Sequence, residues 1–234
     1  VFKSVRIGVL ALLVAGCGAP KPRPAAPAPS KPPAPATGHA YHIDASQSEL
    51  RILVYRAGPL ARFGHNHVMV NRSLRGTVDL AEPLAASAFR VEVPVASFVV
   101  DDAQARREEG SDFAAEVPDD AKSGTLHNML SEALLNADQF PVMSLDSRAA
   151  ARAADRPSNG AADRTLTVSV IVSVAGHAST IDVPLTLHQE AQRLSASGTL
   201  ELRQTALGLT PYSLMLGALQ VQDAMTVKFT FIAT

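Results

Sequence analysis

The sequence predicts an all-β domain, an antiparallel barrel or sandwich with one or two helices inserted around residues 101–136. Three observations carry this. Apolar residues alternate with polar ones in at least six separate segments, the period of a strand with one buried face. Helical periodicity is confined to 101–136. The 234 residues are 47% hydrophobic and 18% charged, the balance of a globular chain with a substantial core. The formal net charge of -1 argues against nucleic acid as a partner, which calls for a basic stripe. The single cysteine excludes both an intrachain disulfide framework and a Cys-rich zinc site.

In chain order, residues 1–16 read as an export signal, not as part of the fold. Lys3 and Arg6 precede an apolar run from Ile7 to Ala15. That run is shorter than the about 20 residues a membrane span needs. It ends in Leu13-Val14-Ala15-Gly16-Cys17, which resembles a bacterial lipobox. Cleavage before Cys17 and lipid attachment to its thiol are therefore expected. By resemblance to bacterial sorting rules, Gly18 after the cysteine favours the outer membrane. The expected location is the cell envelope, lipid-anchored and facing the periplasm. Without Lys3 and Arg6 the mature chain holds 19 basic and 22 acidic side chains, a net charge of -3. Residues 17–38 then form the lipidated cysteine and a tether. Eight of the 16 prolines lie in 19–38, too poor in apolar mass and amide donors to build a core. Extended as polyproline II, those residues reach about 60 Å.

Residues 39–234 form the domain. Leu50, Ile52 and Val54 alternate with Glu49, Arg51 and Leu53. Phe89, Val91, Val93 and Val95 alternate with Arg90, Glu92 and Pro94. Leu166, Val168, Val170, Val172 and Val174 alternate with Thr167, Ser169 and Ser173. Ile181, Val183, Leu185 and Leu187 follow the same rule, then Leu200 and Leu202, then Val227, Phe229 and Phe231. Each such segment has one apolar and one polar face. Pro94 and Pro184 lack ladder donors and belong at bulges or edges. Asp101 and Asp102 cap a short helix through Glu109, ended by Gly110. Leu126, Met129, Leu130, Ala133 and Leu134 make one helical stripe over 126–135, with Asp119 and Asp120 upstream. Residues 151–163 read as an exposed hairpin loop.

Several segments resemble, in order, those of the YceI-like family of bacterial periplasmic proteins. Tyr41-His42-Ile43-Asp44-Ala45-Ser46-Gln47-Ser48 is similar to its opening strand, and Leu74-Arg75-Gly76-Thr77-Val78 to its Gly-centred second strand. Ala137-Asp138-Gln139-Phe140-Pro141-Val142 resembles its passage from helix to strand. Leu166 through Leu187 resembles a hairpin centred on Gly176, and Gly217 through Asp223 its penultimate turn. The family's Arg-Asp…His-Leu motif is not recognisable, and a stretch containing Gly124-Thr125-Leu126-His127-Asn128-Met129-Leu130 stands there, as in a divergent branch. The resemblance implies a lipocalin-like antiparallel barrel that holds a long polyisoprenoid-type or other apolar lipid. It implies a binding protein with no cofactor and no catalytic residues.

On that reading Val91, Val93, Val168, Val170, Val172, Leu185, Phe229 and Phe231 face inward and line the ligand pocket. The alternatives are a solid, structural barrel packed by the same side chains, and a metal-binding protein or enzyme that uses His65 and His67. Gly64-His65-Asn66-His67 is the sharpest local feature. On a strand, His65 and His67 share a face about 7 Å apart. With Arg62 they are candidates for the pocket mouth. The imidazoles suit backbone hydrogen bonding, contact with a ligand head or metal chelation, the last needing a third ligand such as His127 or His188. Arg62 and Arg72 flank the segment and suit an anionic head or, equally, plain solvation. No phosphate loop and no Gly-x-Ser-x-Gly elbow occurs.

Overall fold

Alternation of apolar and polar side chains is what lets one long sheet curl around an apolar inner face. The computed structural model describes residues 38–148, 151–157 and 163–234. The signal segment, Cys17 and most of the proline tether lie outside the described residues. The strands are β1 (His39–His42), β2 (Glu49–Ala57), β3 (His67–Asn71), β4 (Arg75–Leu80), β5 (Ala88–Pro94) and β6 (Val99–Val100). Two helices follow, α1 (Ala103–Glu108) and α2 (Asp119–Leu130). Then come β7 (Val142–Arg148), β8 (Ala151–Pro157), β9 (Asp163–Val174), β10 (His177–Glu190), β11 (Arg193–Arg203), β12 (Ser213–Leu214) and β13 (Leu219–Ala233).

All pairings are antiparallel, and the sheet runs β1-β4-β5-β7-β9-β10-β11-β13-β2-β3-β6, with β8 on β9 and β12 on β13. The C-terminal end of the long β13 meets β1, the first strand of that order. β13 pairs with β2 from Gln220 to Thr230, and just beyond, Ile43 bridges Ala233. The amides of His42 and Thr234 each donate to the other's carbonyl, at 2.8 and 3.0 Å. β1, paired with β4 on its other side, thereby draws the sheet into the lipocalin-like curl expected of the sequence. The Ala175-Gly176 pair turns β9 into β10 with φ of 48° and 78°, the left-handed pair that a two-residue hairpin needs. Gly76 on β4 permits a close approach: a Cβ there would lie 2.0 Å from the Arg90 carbonyl oxygen.

The inner face carries the main core, with Val91, Val93, Val168, Val170, Val172 and Val174 all buried. Each such side chain contributes about 1.5–3 kcal/mol on burial. Pro94 ends β5, and Pro184 sits on β10 just short of Thr186, where pairing with β11 begins. Both occupy positions where the missing donor costs nothing.

Three expectations are corrected. Leu53, read as part of the polar face of β2, is buried with Val68, Val70, Ala105 and Phe113 in a second cluster on the other side of the sheet. Helix α1 covers that face, so Leu53 of β2 and Val68 and Val70 of β3 are buried on it, while Arg51 on the same face of β2 pairs with Glu108 and Glu109. The predicted stripe over 126–135 is not one helix. α2 begins earlier, at Asp119, and stops at Leu130. Ser131 turns to an extended conformation and its hydroxyl donates to the Asn128 carbonyl at 2.7 Å, a side-chain bond that competes with helix propagation. Leu134 still packs on the core from the following turn. Finally, 151–163 is no loop throughout, because Ala151–Pro157 pairs with β9 as β8.

Candidate functional site

β9 shows how the site is made. Leu166, Val168, Val170 and Val172 are buried at every second position, and with Leu185 of β10 and Phe229 and Phe231 of β13 they line a cavity of about 200 Å³. Val91 of β5 lines it as well. Val93, two residues on, is fully buried but lies in the packed core away from the cavity wall. Among the described residues that line it, only Ser87 and Ser147 are polar. The interior is therefore hollow along part of its length and packed solid elsewhere.

A second chamber of about 220 Å³ adjoins this one along the same strands. Ile52 lines the first chamber and Val54 the second, successive inward positions of β2. Across the ladder Ile52 pairs with Met69, which lines the second, and Val54 with Met225, which lines the first. These four side chains form the junction. Beyond it the chemistry changes: His65, His67, Thr125, Asn128, Gln204, Tyr212 and Gln220 face the second chamber, with Met129 and Leu134 beside them.

Asp101 organises this polar end, a role the sequence did not reveal. Asp102 alone is the N-cap of α1, accepting from the Ala105 amide at 2.9 Å. Asp101 sits in a left-handed conformation with φ 58°, its side chain fully buried. One carboxylate oxygen is 2.6 Å from His67 Nδ1. The other accepts from the Val68 amide at 3.0 Å and from Arg106. Burial pushes the Asp101 carboxyl up, but the bonds from His67, Val68 and Arg106 outweigh it and hold the group below its usual range. A carboxylate only accepts, so Nδ1 of His67 carries the hydrogen and Nε2 faces Thr125 Oγ1 at 3.4 Å.

Buried Arg106 also donates to the carbonyls of Asn66 and Ala115, both at 2.8 Å. Asn66 receives the Arg56 amide at 3.0 Å and donates to the Asp112 carbonyl at 3.0 Å. The 64–67 segment is thus held from both sides. His65, with its ring 6.0 Å from that of His67, has a lowered pKa: burial is the main cause, with the nearby His67 and Arg106 adding to it.

The other singled-out residues lie apart. Arg62 is exposed, its guanidinium 4.5 Å above the Phe63 ring rather than in the chamber. Arg72 pairs with Glu49 at 2.7 Å. His127 is exposed on α2, and His188 pairs with Asp163. Among the described residues no group of three or more His, Cys, Asp or Glu side chains is placed to hold a metal ion.

Comparison with known proteins agrees with this architecture. The model of the YceI-like domain matches residues 41–233. Among solved structures, the chain is similar to BcnA of Burkholderia cenocepacia, with 17% identity, 82% of this chain and 99% of that chain covered, and a TM-score of 0.55. It is also similar to a polyisoprenoid binding domain from Saccharophagus degradans implicated in plant cell wall breakdown, with 14% identity, 82% and 97% covered, and a TM-score of 0.54. No curated protein matches the chain by sequence.

Proposed function

This chain belongs to the YceI-like family, and from that premise we propose that its barrel binds or carries a long apolar lipid of the polyisoprenoid type. The observation that carries the reading is the first chamber, a hollow of about 200 Å³ whose walls, among the described residues, hold only two polar side chains, both serines. A cavity lined in this way stays dry and takes up apolar groups. Each methylene buried there contributes about 0.8 kcal/mol. The similar domain from Saccharophagus degradans, described as polyisoprenoid binding, supports the class of ligand.

A chain of more than a few isoprene units exceeds this volume as it stands. Met225 and Met69 at the junction, with Met129 beyond it, are unbranched side chains that adapt to their contents. Their displacement joins the two chambers. The apolar tail then occupies the first, and its polar head meets His65, His67 and Asn128 in the second. The site binds and does not react: the role of Asp101 is to orient His67.

The reading extends to the cell envelope. Lys3, Arg6, the apolar run and Leu13-Val14-Ala15-Gly16-Cys17 support a lipoprotein cleaved before Cys17. The acyl chains on Cys17 then hold the domain at a periplasm-facing membrane surface, the outer membrane on the evidence of Gly18. Radiolabelled palmitate incorporated by the full chain and lost in Cys17→Ser is the expected result; equal labelling of both contradicts the anchor.

Lipid binding is tested by extracting residues 39–234, purified from bacterial cells, with organic solvent and weighing the extract by mass spectrometry. A prenyl-chain lipid near one per protein is expected. Ala196→Phe, which fills the first chamber from its wall, should cut that yield about tenfold while the domain stays folded. Extracts without lipid, or a yield indifferent to Ala196→Phe, overturn the proposal.

A further inference from the structure

Two loops stand side by side at the rim of the second chamber, one spanning 58–64 and the other 213–218. The Leu60 amide donates to the Ala218 carbonyl at 2.8 Å. Gly58, at φ 90°, lets the loops touch: a Cβ on it would lie 2.6 Å from that same carbonyl oxygen. Gly64, Leu214 and Leu219 belong to the chamber wall, so the loops form its edge.

Their tips are apolar and unburied. Phe63 is 64% exposed, Met215 73% and Leu216 108%, with Leu214 at 43%. Folding leaves single exposed apolar residues everywhere, but a cluster of large ones at the edge of a cavity calls for an apolar partner. The backbone is strained to present them. Met215 and Leu216 adopt φ of 51° and 56°, conformations that bulky side chains rarely occupy. Such strain marks a segment shaped by function more than by folding.

Charge narrows the partner. The sequence has no Asp or Glu from Leu50 to Val78, and no charged residue at all from Gln204 to Gln222. The exposed cations on and beside the 58–64 loop are Arg56 and Arg62, while Asp112, whose carbonyl meets Asn66, is the exposed acid next to the 64–67 segment. Arg56 is exposed and donates to the Gly64 carbonyl at 2.7 Å, and exposed Arg62 lies over the Phe63 ring. Exposed apolar tips with an arginine against one of them suit the layering of a bilayer surface, acyl chains below and anionic headgroups above. Among the described residues no helix is long and apolar enough to cross a membrane.

We infer that the 58–64 and 213–218 loops dock this barrel onto an anionic phospholipid bilayer, with Phe63, Met215 and Leu216 inserted among the acyl chains and Arg62 at the headgroups. The inference rests on the lipid-binding reading for its purpose. Seated this way, the rim of the second chamber faces the membrane interior, and an apolar ligand passes between bilayer and barrel without crossing water.

The protein has no tryptophan, so a single one reports cleanly. The test uses residues 39–234, which contain the complete described sheet and both core clusters and leave out Cys17, so that no acyl chain contributes. Vesicles are phosphatidylcholine alone or with three parts in ten phosphatidylglycerol. Leu216→Trp should shift its emission to the blue and be quenched by brominated acyl chains on the anionic vesicles. Gln192→Trp, on the exposed turn at the opposite end of β13, should do neither. With the native tip, Arg62→Glu should weaken binding to anionic vesicles severalfold, and Met215→Asp with Leu216→Asp about tenfold or more. Both tryptophans silent, or both equally quenched, overturns the inference. Tip insertion by a domain that yields no extractable lipid would break the lipid-binding reading alone; lipid in a domain whose tip never inserts would break the docking surface alone.

Discussion

The two chambers have nearly the same volume, about 200 and 220 Å³, but the first is almost wholly apolar and the second mixes polar with apolar side chains. Both are built on inward positions of β2 and β13. Leu50 and Ile52 serve the first, Val54 and Arg56 the second; Val227, Phe229 and Phe231 serve the first, Leu219 and Val221 the second. The first is walled mainly by the sheet, whose inward positions there are nearly all apolar, with Leu84 and Leu207 added from short turns. The second lies where the sheet ends and α2 with the 64–67 segment closes it, bringing the polar side chains of Thr125, Asn128, His65 and His67 into the wall. A barrel wall thus supplies bulk apolar area, and its end supplies specific polar contacts, the division a chain lipid with a distinct head requires.

The largest effect that separates the chambers is expected on β9. Val170→Asp places an unpaired charge in the first chamber and should unfold the domain or abolish lipid recovery, read by thermal melting and extraction. Ser169→Lys, one residue away, faces outward beside Asp182 and should melt like the native domain. If both variants behave alike, the two faces of β9 are not distinct. Next in size is Asp101→Ala, which leaves buried Arg106 without its carboxylate and should cost about 3–5 kcal/mol in chemical denaturation. Asp101→Asn keeps the shape and should cost less. Folded Asp101→Ala should still yield lipid from the first chamber, so loss of lipid without unfolding would deny the chambers their separate roles.

The smallest effect is one of pH. Burial, aided by the nearby His67 and Arg106, holds His65 below its ordinary value of 6.5. The unfolded chain then takes up a proton first as pH falls, and stability contributed above about 6.5 is lost below it. Asp101, also lowered, is fully stabilising above its ordinary value of 3.8 and loses that contribution on acidification through its folded pKa. The melting temperature should therefore fall from pH 7 to pH 5, and His65→Gln should flatten that part of the curve only. An unchanged slope would mean that the second chamber does not burden the imidazole.

Much of this contrast was legible in the sequence on one side and hidden on the other. The first chamber is a product of period-two patterning, so Val168, Val170 and Val172 could be assigned to one face by counting. The second cluster was missed because Leu53 stands where a polar residue was expected, and only α1 covering that face explains it. Gly64-His65-Asn66-His67 was visible as a feature, yet its organiser Asp101 lies 34 positions from His67 and owes its role to a left-handed backbone no pattern announces. The end of α2 depends on the Ser131 hydroxyl, which local spacing of leucines does not register.

The central claim, that apolar ligand occupies the inner face of the sheet, is tested most directly by methyl NMR of residues 39–234 with labelled valine and leucine. A C20 prenyl alcohol, titrated into the delipidated domain, should shift the methyls of Val168, Val170, Val172 and Leu185 and show contacts to them. The methyls of Leu53, Val68 and Val70, buried beneath α1 on the opposite side of the sheet, should not move. Contacts at that outer cluster, or saturation without any change at the inner valines, would contradict the account.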